Sequence, residues 1–191
     1  MSPEELFKNL NASAVRLNND TEIKPFESDD EDLNDFLLND AKDYLASLLS
    51  VTYILQNDID TVAYYCLSND RLSQQAEDKS IWNKINRLIS NKKRRKSYPA
   101  VKIGRLAVSK KFANMGIGTM IINVIKELYE NISLQNAGCR FIIVDAYKNA
   151  LSFYEKNGFR YLKENDKSDA TRIMYFDLKD CSKHLNLKKG F

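Results

Sequence analysis

The sequence predicts an α/β or α+β domain built around one mixed sheet. Three observations predict it. Segments rich in β-branched and aromatic residues alternate with segments of helical apolar spacing. Phe141 to Val144 is a continuous apolar run, as in a strand buried on both faces. Ile117, Ile121, Val124, Ile125 and Leu128 recur at helical spacing directly behind Gly116-Ile117-Gly118. The order is strand, helix, hairpin, excursion, strand, helix, strand, helix, strand.

Each element has its own signal. Ala14 to Leu17 is a short strand candidate. Ser28-Asp29-Asp30-Glu31-Asp32 suits a helix start, because Ser or Asp can cap free N–H groups and acids favour the positive end of the helix dipole. Leu33, Phe36, Leu37, Tyr44 and Leu48 follow at helical spacing. Ser50–Gln56 and Thr61–Ser68 form a predicted hairpin, with Asn57-Asp58-Ile59-Asp60 as its turn. Residues 70–96 are polar and partly helical, with Trp82, Ile85, Leu88 and Ile89 expected on one face and Trp82 packing the excursion onto the body. After Pro99 a strand carries Val101 and Ile103 on one face, then shifts phase to Leu106 and Val108. Gly104 stands at the shift, where a bulge is expected. A loop runs from Ser109 to Met115, and the helix behind it exposes Lys126, Glu127 and Glu130. Asn149 to Asn157 is a short helix stopped by Gly158. Arg172 to Leu178 makes a last strand.

Composition narrows the function classes. The chain has 191 residues, 43% of them hydrophobic, which suits one domain over 1–191 with a polar, basic excursion at about 70–97. No apolar run approaches the roughly 18 residues that span a bilayer, and the N-terminus lacks the order of a signal peptide. Cys66, Cys139 and Cys181 are an odd set without metal-ligand spacing, so reduced thiols and a cytoplasmic location are expected. His184 is the single histidine and lies in a polar tail, so no multi-histidine metal site is expected. The net charge of +3 conceals a polarised chain. Residues 19–43 carry ten acids and two bases; residues 84–111 carry eleven bases and no acid. Lys92-Lys93-Arg94-Arg95-Lys96 is the densest basic run. The plain reading is a solvated loop; the sharper one is a grip on nucleic-acid phosphates.

The stretch with most chemical content is strand 101–108, a loop, and Gly116-Ile117-Gly118 at a helix start. Glycine permits positive φ and close backbone approach. A helix start supplies unpaired N–H groups and partial positive charge. Together they suit a pyrophosphate. Gly-x-Gly alone equally describes a tight turn. The second element lies downstream, in Asn149-Ala150-Leu151-Ser152-Phe153-Tyr154-Glu155-Lys156-Asn157-Gly158-Phe159.

Taken together, these two elements resemble the GNAT superfamily of acetyl-CoA-dependent N-acetyltransferases. The family's loop reads Gln/Arg-x-x-Gly-x-Gly/Ala, and its later helix often reads Asn-x-x-Ala-x-x-Phe-Tyr-x-x-x-Gly-Phe. Ala150, Phe153, Tyr154, Gly158 and Phe159 match the second pattern, with a compressed Asn–Ala spacing. Asp32-Leu33-Asn34-Asp35-Phe36-Leu37, Thr52-Tyr53 and Gly104-Arg105-Leu106-Ala107-Val108 are similar to the branch that includes tRNA-acetylating toxins. The resemblance implies a GNAT-like, mostly antiparallel central sheet flanked by helices. It implies that backbone groups of Leu106, Ala107 and Val108 pair with the pantetheine arm of acetyl-CoA. Amides of Ala113, Asn114, Met115, Gly116, Ile117, Gly118 and Thr119 would hold its pyrophosphate, Asn149 would contact it, and Tyr154 would protonate the departing thiolate. No metal is implied.

One departure stands out: Ala113 occupies the place of the family's Gln or Arg, so a side-chain contact to phosphate is missing unless Lys110 or Lys111 replaces it. Strand Val101–Val108 carries no Asp or Glu as base. That favours an acceptor α-amine, with a reference pKa of about 7.7–8.0, over a lysine amine near ~10.4. The expected reaction is direct transfer of acetyl from acetyl-CoA to a primary amine. Its specific alternative is a toxin that acetylates aminoacyl-tRNA, with tRNA on Lys92, Lys93, Arg94, Arg95 and Lys96 and a small antitoxin as partner. The alternative of another class is a non-catalytic acetyl-CoA- or RNA-binding module. A homodimer is common in the family.

Overall fold

The structure, a computed structural model, describes residues 10–74, 79–89, 95–135, 137–163 and 169–180. Seven strands form one sheet: β1 (Ser13–Arg16), β2 (Val51–Gln56), β3 (Thr61–Ser73), β4 (Ser97–Val108), β5 (Phe141–Tyr147), β6 (Arg160–Tyr161) and β7 (Thr171–Asp177). Their order is β1-β2-β3-β4-β5-β7-β6, and the pairs β1–β2, β2–β3, β5–β7 and β6–β7 are antiparallel. The α-helices with both ends among the described residues are α1 (Glu31–Asp35), α2 (Ala41–Ala46), α3 (Lys79–Leu88), α4 (Ile117–Gln135) and α5 (Leu151–Lys156). The mixed sheet flanked by helices is the architecture expected from the sequence. The chain groups into two compact units, one drawn from Met1–Ser68 and Ile103–Val124, the other from Asn69–Lys102 and Ile125–Phe191.

In the first unit the predicted hairpin forms. The Asn57 side chain closes its turn by accepting the N–H groups of Ile59 and Asp60 at 2.9 and 2.8 Å. Asp30 caps α1, its carboxylate accepting from the amides of Asp32 and Leu33. Between α1 and α2 the chain makes a π-helical turn, Phe36–Asp40, in which the Ala41 N–H reaches back to the Phe36 carbonyl. The turn adds one residue to the helical repeat, so Leu38 is half exposed while Phe36, Leu37 and Ala41 are buried. These three pack with Leu17, Ile54, Tyr64, Cys66 and Ala107. Leu48, expected on this face, is instead 91% exposed with φ 57°. It lies beyond the end of α2, in the turn toward β2, and so leaves the helical face.

The phase shift expected at Gly104 has a geometric counterpart. A Cβ on Gly104 would come 3.0 Å from Cys66 Sγ, and the next side chain, Arg105, lies over Phe36 of the same cluster. The glycine is required there by close approach, since its φ is not positive.

In the second unit α3 buries Trp82 and Ile85 against Tyr98, Phe141, Ile143 and Tyr175. The Trp82 indole N–H donates to the Arg95 carbonyl at 3.2 Å. Leu72, Trp82 and Ile85 are therefore part of this core, with β3 running to Ser73 and α3 beginning at Lys79. Leu88 is half exposed, contrary to expectation. Trp82, Ile85 and Ile89 are spaced for one helix face, and Leu88 falls off it. Phe141 to Val144 are all buried, as the apolar run requires. Arg140 forks onto Asp177 through Nε and Nη2 at 2.7 and 2.8 Å. Among the described residues no helix is long and apolar enough to cross a membrane.

Candidate active site

Leu106, Ala107 and Val108 end β4; Ala107 is buried, and the other two are half-buried. Strand pairing continues one residue further, with the Ser109 N–H donating to the Val62 carbonyl at 2.9 Å. A single 3-10 turn, Lys110–Phe112, then reverses the chain. The Ala113 N–H is spent on that turn, donating to the Lys110 carbonyl at 3.3 Å. Asn114 and Gly116 adopt φ 62° and 79°. Left-handed residues in a turn direct neighbouring N–H groups toward one side, which makes a concavity that can receive an anion. Space above Gly116 is open, since a Cβ there would meet nothing within 4 Å. Met120 N–H donates to the Gly116 carbonyl at 3.0 Å, the first bond of α4. The amides of Ile117 and Gly118 precede it and have no acceptor within the helix. Ile117 is buried and anchors the turn, while Asn114, Met115, Gly116 and Thr119 are exposed.

Lys110 and Lys111, considered as substitutes for a side chain at position 113, hold other partners. Lys110 Nζ lies 2.8 Å from Glu27 and 3.8 Å from Asp29, and Lys111 Nζ lies 2.6 Å from Asp60. The Lys110 contact holds the Glu27 carboxyl below its ordinary range and raises the Lys110 ammonium. Arg105 lies 3.9 Å from Asp32. Part of the basic stretch is therefore neutralised by the acidic one.

Asn149 and Tyr154 belong to the other unit. Asn149 is exposed in a 3-10 turn, Lys148–Ala150, that leads from β5 into α5. Tyr154 is 6% exposed between Phe153 and Phe159, ring centroids 5.0 and 5.3 Å away. Burial raises its phenol above the ordinary range, so it remains protonated at neutral pH. Its hydroxyl makes no hydrogen bond to a described residue. Gly158, φ 81°, closes the helix: its N–H donates to the Glu155 carbonyl and that of Phe159 to the Tyr154 carbonyl, at 2.9 and 3.0 Å. Lys126, expected on an exposed face, is half-buried. Its Nζ donates to the Asn157 carbonyl at 2.7 Å and lies 4.1 Å over the Phe176 ring. Its long stem lets it cover apolar surface while the ammonium caps α5.

Arg95 and Lys96 are exposed. Lys92, Lys93, Arg94, Cys181 and His184 lie outside the described residues. Cys66 and Cys139 are not joined in a disulfide, the Cys139 thiol donates to the Phe141 carbonyl at 3.4 Å, and burial raises both thiols. Among the described residues no three His, Cys, Asp or Glu gather as a metal site.

Residues 53–161 match the family model described as an acetyltransferase (GNAT) domain, and the chain is accordingly an acetyltransferase. More particularly, it belongs to the GNAT family, and its acetyl donor is acetyl-CoA. Comparison with curated proteins gives no match. Solved structures share the fold. The toxin AtaT complexed with acetyl-methionyl-tRNAfMet aligns with a TM-score of 0.76 and 21% identity, over 91% of this chain and 99% of that one. A tyrosine-to-phenylalanine mutant of AtaT bound to the C-terminus of the antitoxin AtaR gives 0.72 and 20%, over 94% and 99%. A tyrosine-to-phenylalanine mutant of KacT gives 0.73 and 21%, over 90% and 98%.

Proposed function

We propose that this protein acetylates the α-amine of aminoacyl-tRNA, acts as a toxin in the cytoplasm, and is held in check by a small antitoxin. The observation that carries the donor half is the turn from β4 into α4, with Asn114 and Gly116 left-handed and open space above Gly116. It lies inside the matched family region. The acceptor half draws its support from the toxins that share the fold, one of them solved with an acetylated aminoacyl-tRNA. The absence of an acid on Val101–Val108 agrees with an amine that is partly neutral at pH 7.

In this reading main-chain groups of Leu106, Ala107 and Val108 pair with the pantetheine arm as a further strand. Their N–H groups also polarise the thioester carbonyl. The amides of Asn114, Met115, Gly116, Ile117, Gly118 and Thr119 hold the pyrophosphate, and Asn149 adds a side-chain contact. Ala113 contributes neither side chain nor a free amide, so the grip is a backbone one. Acetyl-CoA supplies an activated acetyl group. A C–N bond forms to the amine as the C–S bond breaks, Tyr154 gives its phenolic proton to the sulfur, and the proton released by the amine is returned to the phenolate through solvent. Exposed Arg95 and Lys96, with Lys92, Lys93 and Arg94, supply positive charge for tRNA phosphates.

The test is calorimetry with acetyl-CoA on wild type and Gly116→Glu, followed by thiol release with pooled aminoacyl-tRNA. A glutamate there is strained by about 1–2 kcal/mol and sets a carboxylate against the phosphates. Wild type is expected to bind, and Gly116→Glu to lose binding while remaining folded. Equal binding by both proteins would remove the donor site from this turn. Binding without thiol release would leave an acetyl-CoA-binding module.

A further inference from the structure

We propose that Asp60 is a positioning residue for acetyl-CoA. Through Lys111 it holds the entry to the turn between β4 and α4, and with it the amides that face the pyrophosphate. The proposal rests on the reading of that turn as the donor site and names what keeps it in shape.

A backbone grip depends on where the main chain lies. Ala113 offers neither a phosphate-binding side chain nor a free amide, so the donor relies on the shape of the turn. That shape places Asn114 and Gly116 in left-handed conformations. In a residue other than glycine, such a conformation persists where the surroundings impose it. The exit of the turn is held by buried Ile117 and by the first bond of α4. The entry is held by three consecutive residues. Ser109 is buried, and its N–H donates to the Val62 carbonyl at 2.9 Å. The Lys110 N–H donates to the Glu27 carbonyl at 2.8 Å, and its Nζ lies 2.8 Å from the Glu27 carboxylate. Lys111 Nζ donates to Asp60 Oδ1 at 2.6 Å. All of these residues belong to the first unit.

Of the two ion pairs the second is the firmer. Glu27 and Lys110 have side-chain exposures of 72% and 45%, and pairs so open to solvent are worth little. The Asp60 side chain is 13% exposed. Its residue ends the β2–β3 hairpin turn, where the main chain is fixed on both sides. The Asp60 N–H donates to Asn57 Oδ1 at 2.8 Å, and the Asp60 carbonyl accepts the Asn57 N–H at 3.0 Å. Enclosing a carboxylate in this way costs free energy that its partner must offset. The ammonium of Lys111 is engaged by this contact, so its charge serves the shape of the turn. The competing use of Lys111 is as a direct phosphate ligand that Asp60 holds back. The two uses have opposite signs. If Lys111 fixes the turn, loss of Asp60 loosens it and weakens acetyl-CoA binding. If Asp60 sequesters the ammonium, loss of Asp60 releases it and strengthens binding.

Calorimetry with acetyl-CoA would compare wild type, Asp60→Asn, Lys111→Met, the double variant and Lys111→Arg, with Gly116→Glu as the control for the site. Thermal unfolding would verify that each variant is folded, and Asp60→Ser would replace Asp60→Asn where the latter is not. Asp60→Asn and Lys111→Met should each raise Kd about three- to tenfold, the worth of a charge-assisted hydrogen bond partly open to solvent. The double variant should bind no more weakly than either single one, because both remove the same contact. Lys111→Arg keeps a cation opposite Asp60 and should bind nearly as wild type does. In thiol release, KM for acetyl-CoA should rise by the same factor, with kcat and KM for aminoacyl-tRNA little changed. A general loosening of the fold would not give that split. An unchanged or lower Kd on loss of Asp60 would overturn the proposal, and so would additive losses in the double variant. Wild type without affinity, or Gly116→Glu that binds as wild type does, would defeat the donor-site reading itself, and the proposal with it, before the other variants are compared.

Discussion

Tyr154 shows how much one residue's surroundings decide. Burial raises its phenol, so it stays protonated at neutral pH; in the proposed role, that would make full transfer to sulfur less favourable than from a reference phenol. A thiolate leaving into equally dry surroundings would be raised by the same desolvation, which would restore the balance. Since the hydroxyl makes no hydrogen bond to a described residue, its removal should cost little stability. Tyr154→Phe is expected to lower kcat by about 10²–10⁴-fold. Acetyl-CoA affinity and melting temperature should change little. A variant with full kcat would make Tyr154 a core aromatic only. At this scale the sequence was legible for the structural part of a short pattern, the helix carrying Phe153-Tyr154 and its stop at Gly158. It was not legible for Lys126 or for Lys111 with Asp60. Their partners lie far along the chain, and a lone charge in a sequence does not name its counterion.

At the scale of elements, β4 is the most constrained. Gly104 packs closely on Cys66, where an added Cβ would sit 3.0 Å from Sγ, and Arg105 next to it lies over Phe36. Gly104→Ala should destabilise by about 1–3 kcal/mol through overpacking. Adding Cys66→Ala should recover a substantial part, because the conflict is with Sγ. Urea unfolding of the two single variants and the double variant measures this coupling; strict additivity would place the strain elsewhere. The change of apolar phase marked Gly104 as a special position, although the sulfur packed against it was not legible. Boundaries were less legible. β3 continues to Ser73 because its later residues still join a core, through buried Leu72. The polar composition of 70–96 concealed that core, since Trp82 and Ile85 are two apolar anchors among many charges. Leu48 was misplaced because periodicity cannot register that a helix has ended.

Over the whole molecule, charge and proton uptake matter more than any single contact. The acidic and basic segments partly neutralise each other through Arg105 with Asp32 and Lys110 with Glu27 and Asp29. The sequence revealed the polarisation but not this pairing, which only folding creates. Burial raises Cys66, Cys139, Tyr64, Tyr154 and Tyr175 together. Groups raised in the folded state remain protonated there while the unfolded chain ionises. The unfolded state then binds fewer protons, so stability falls as pH rises. The contribution is fully present below the ordinary thiol and phenol values, 9.0 and 10.0, and is lost above them. Urea midpoints should be level from neutral pH to about 8.5 and then decline. A midpoint that rises through that upper range would contradict the burial of these groups.

The π-helical turn at Phe36–Asp40 also bears on ancestry. A hydrogen bond spanning five residues absorbs one amino acid more than the ordinary helical repeat. Relatives whose helix runs straight should therefore align with this chain only through a one-residue gap opposite the turn. An ungapped alignment there would set every downstream residue of α2 against the wrong counterpart. One extra residue is accommodated in this way without breaking the helical path from α1 into α2.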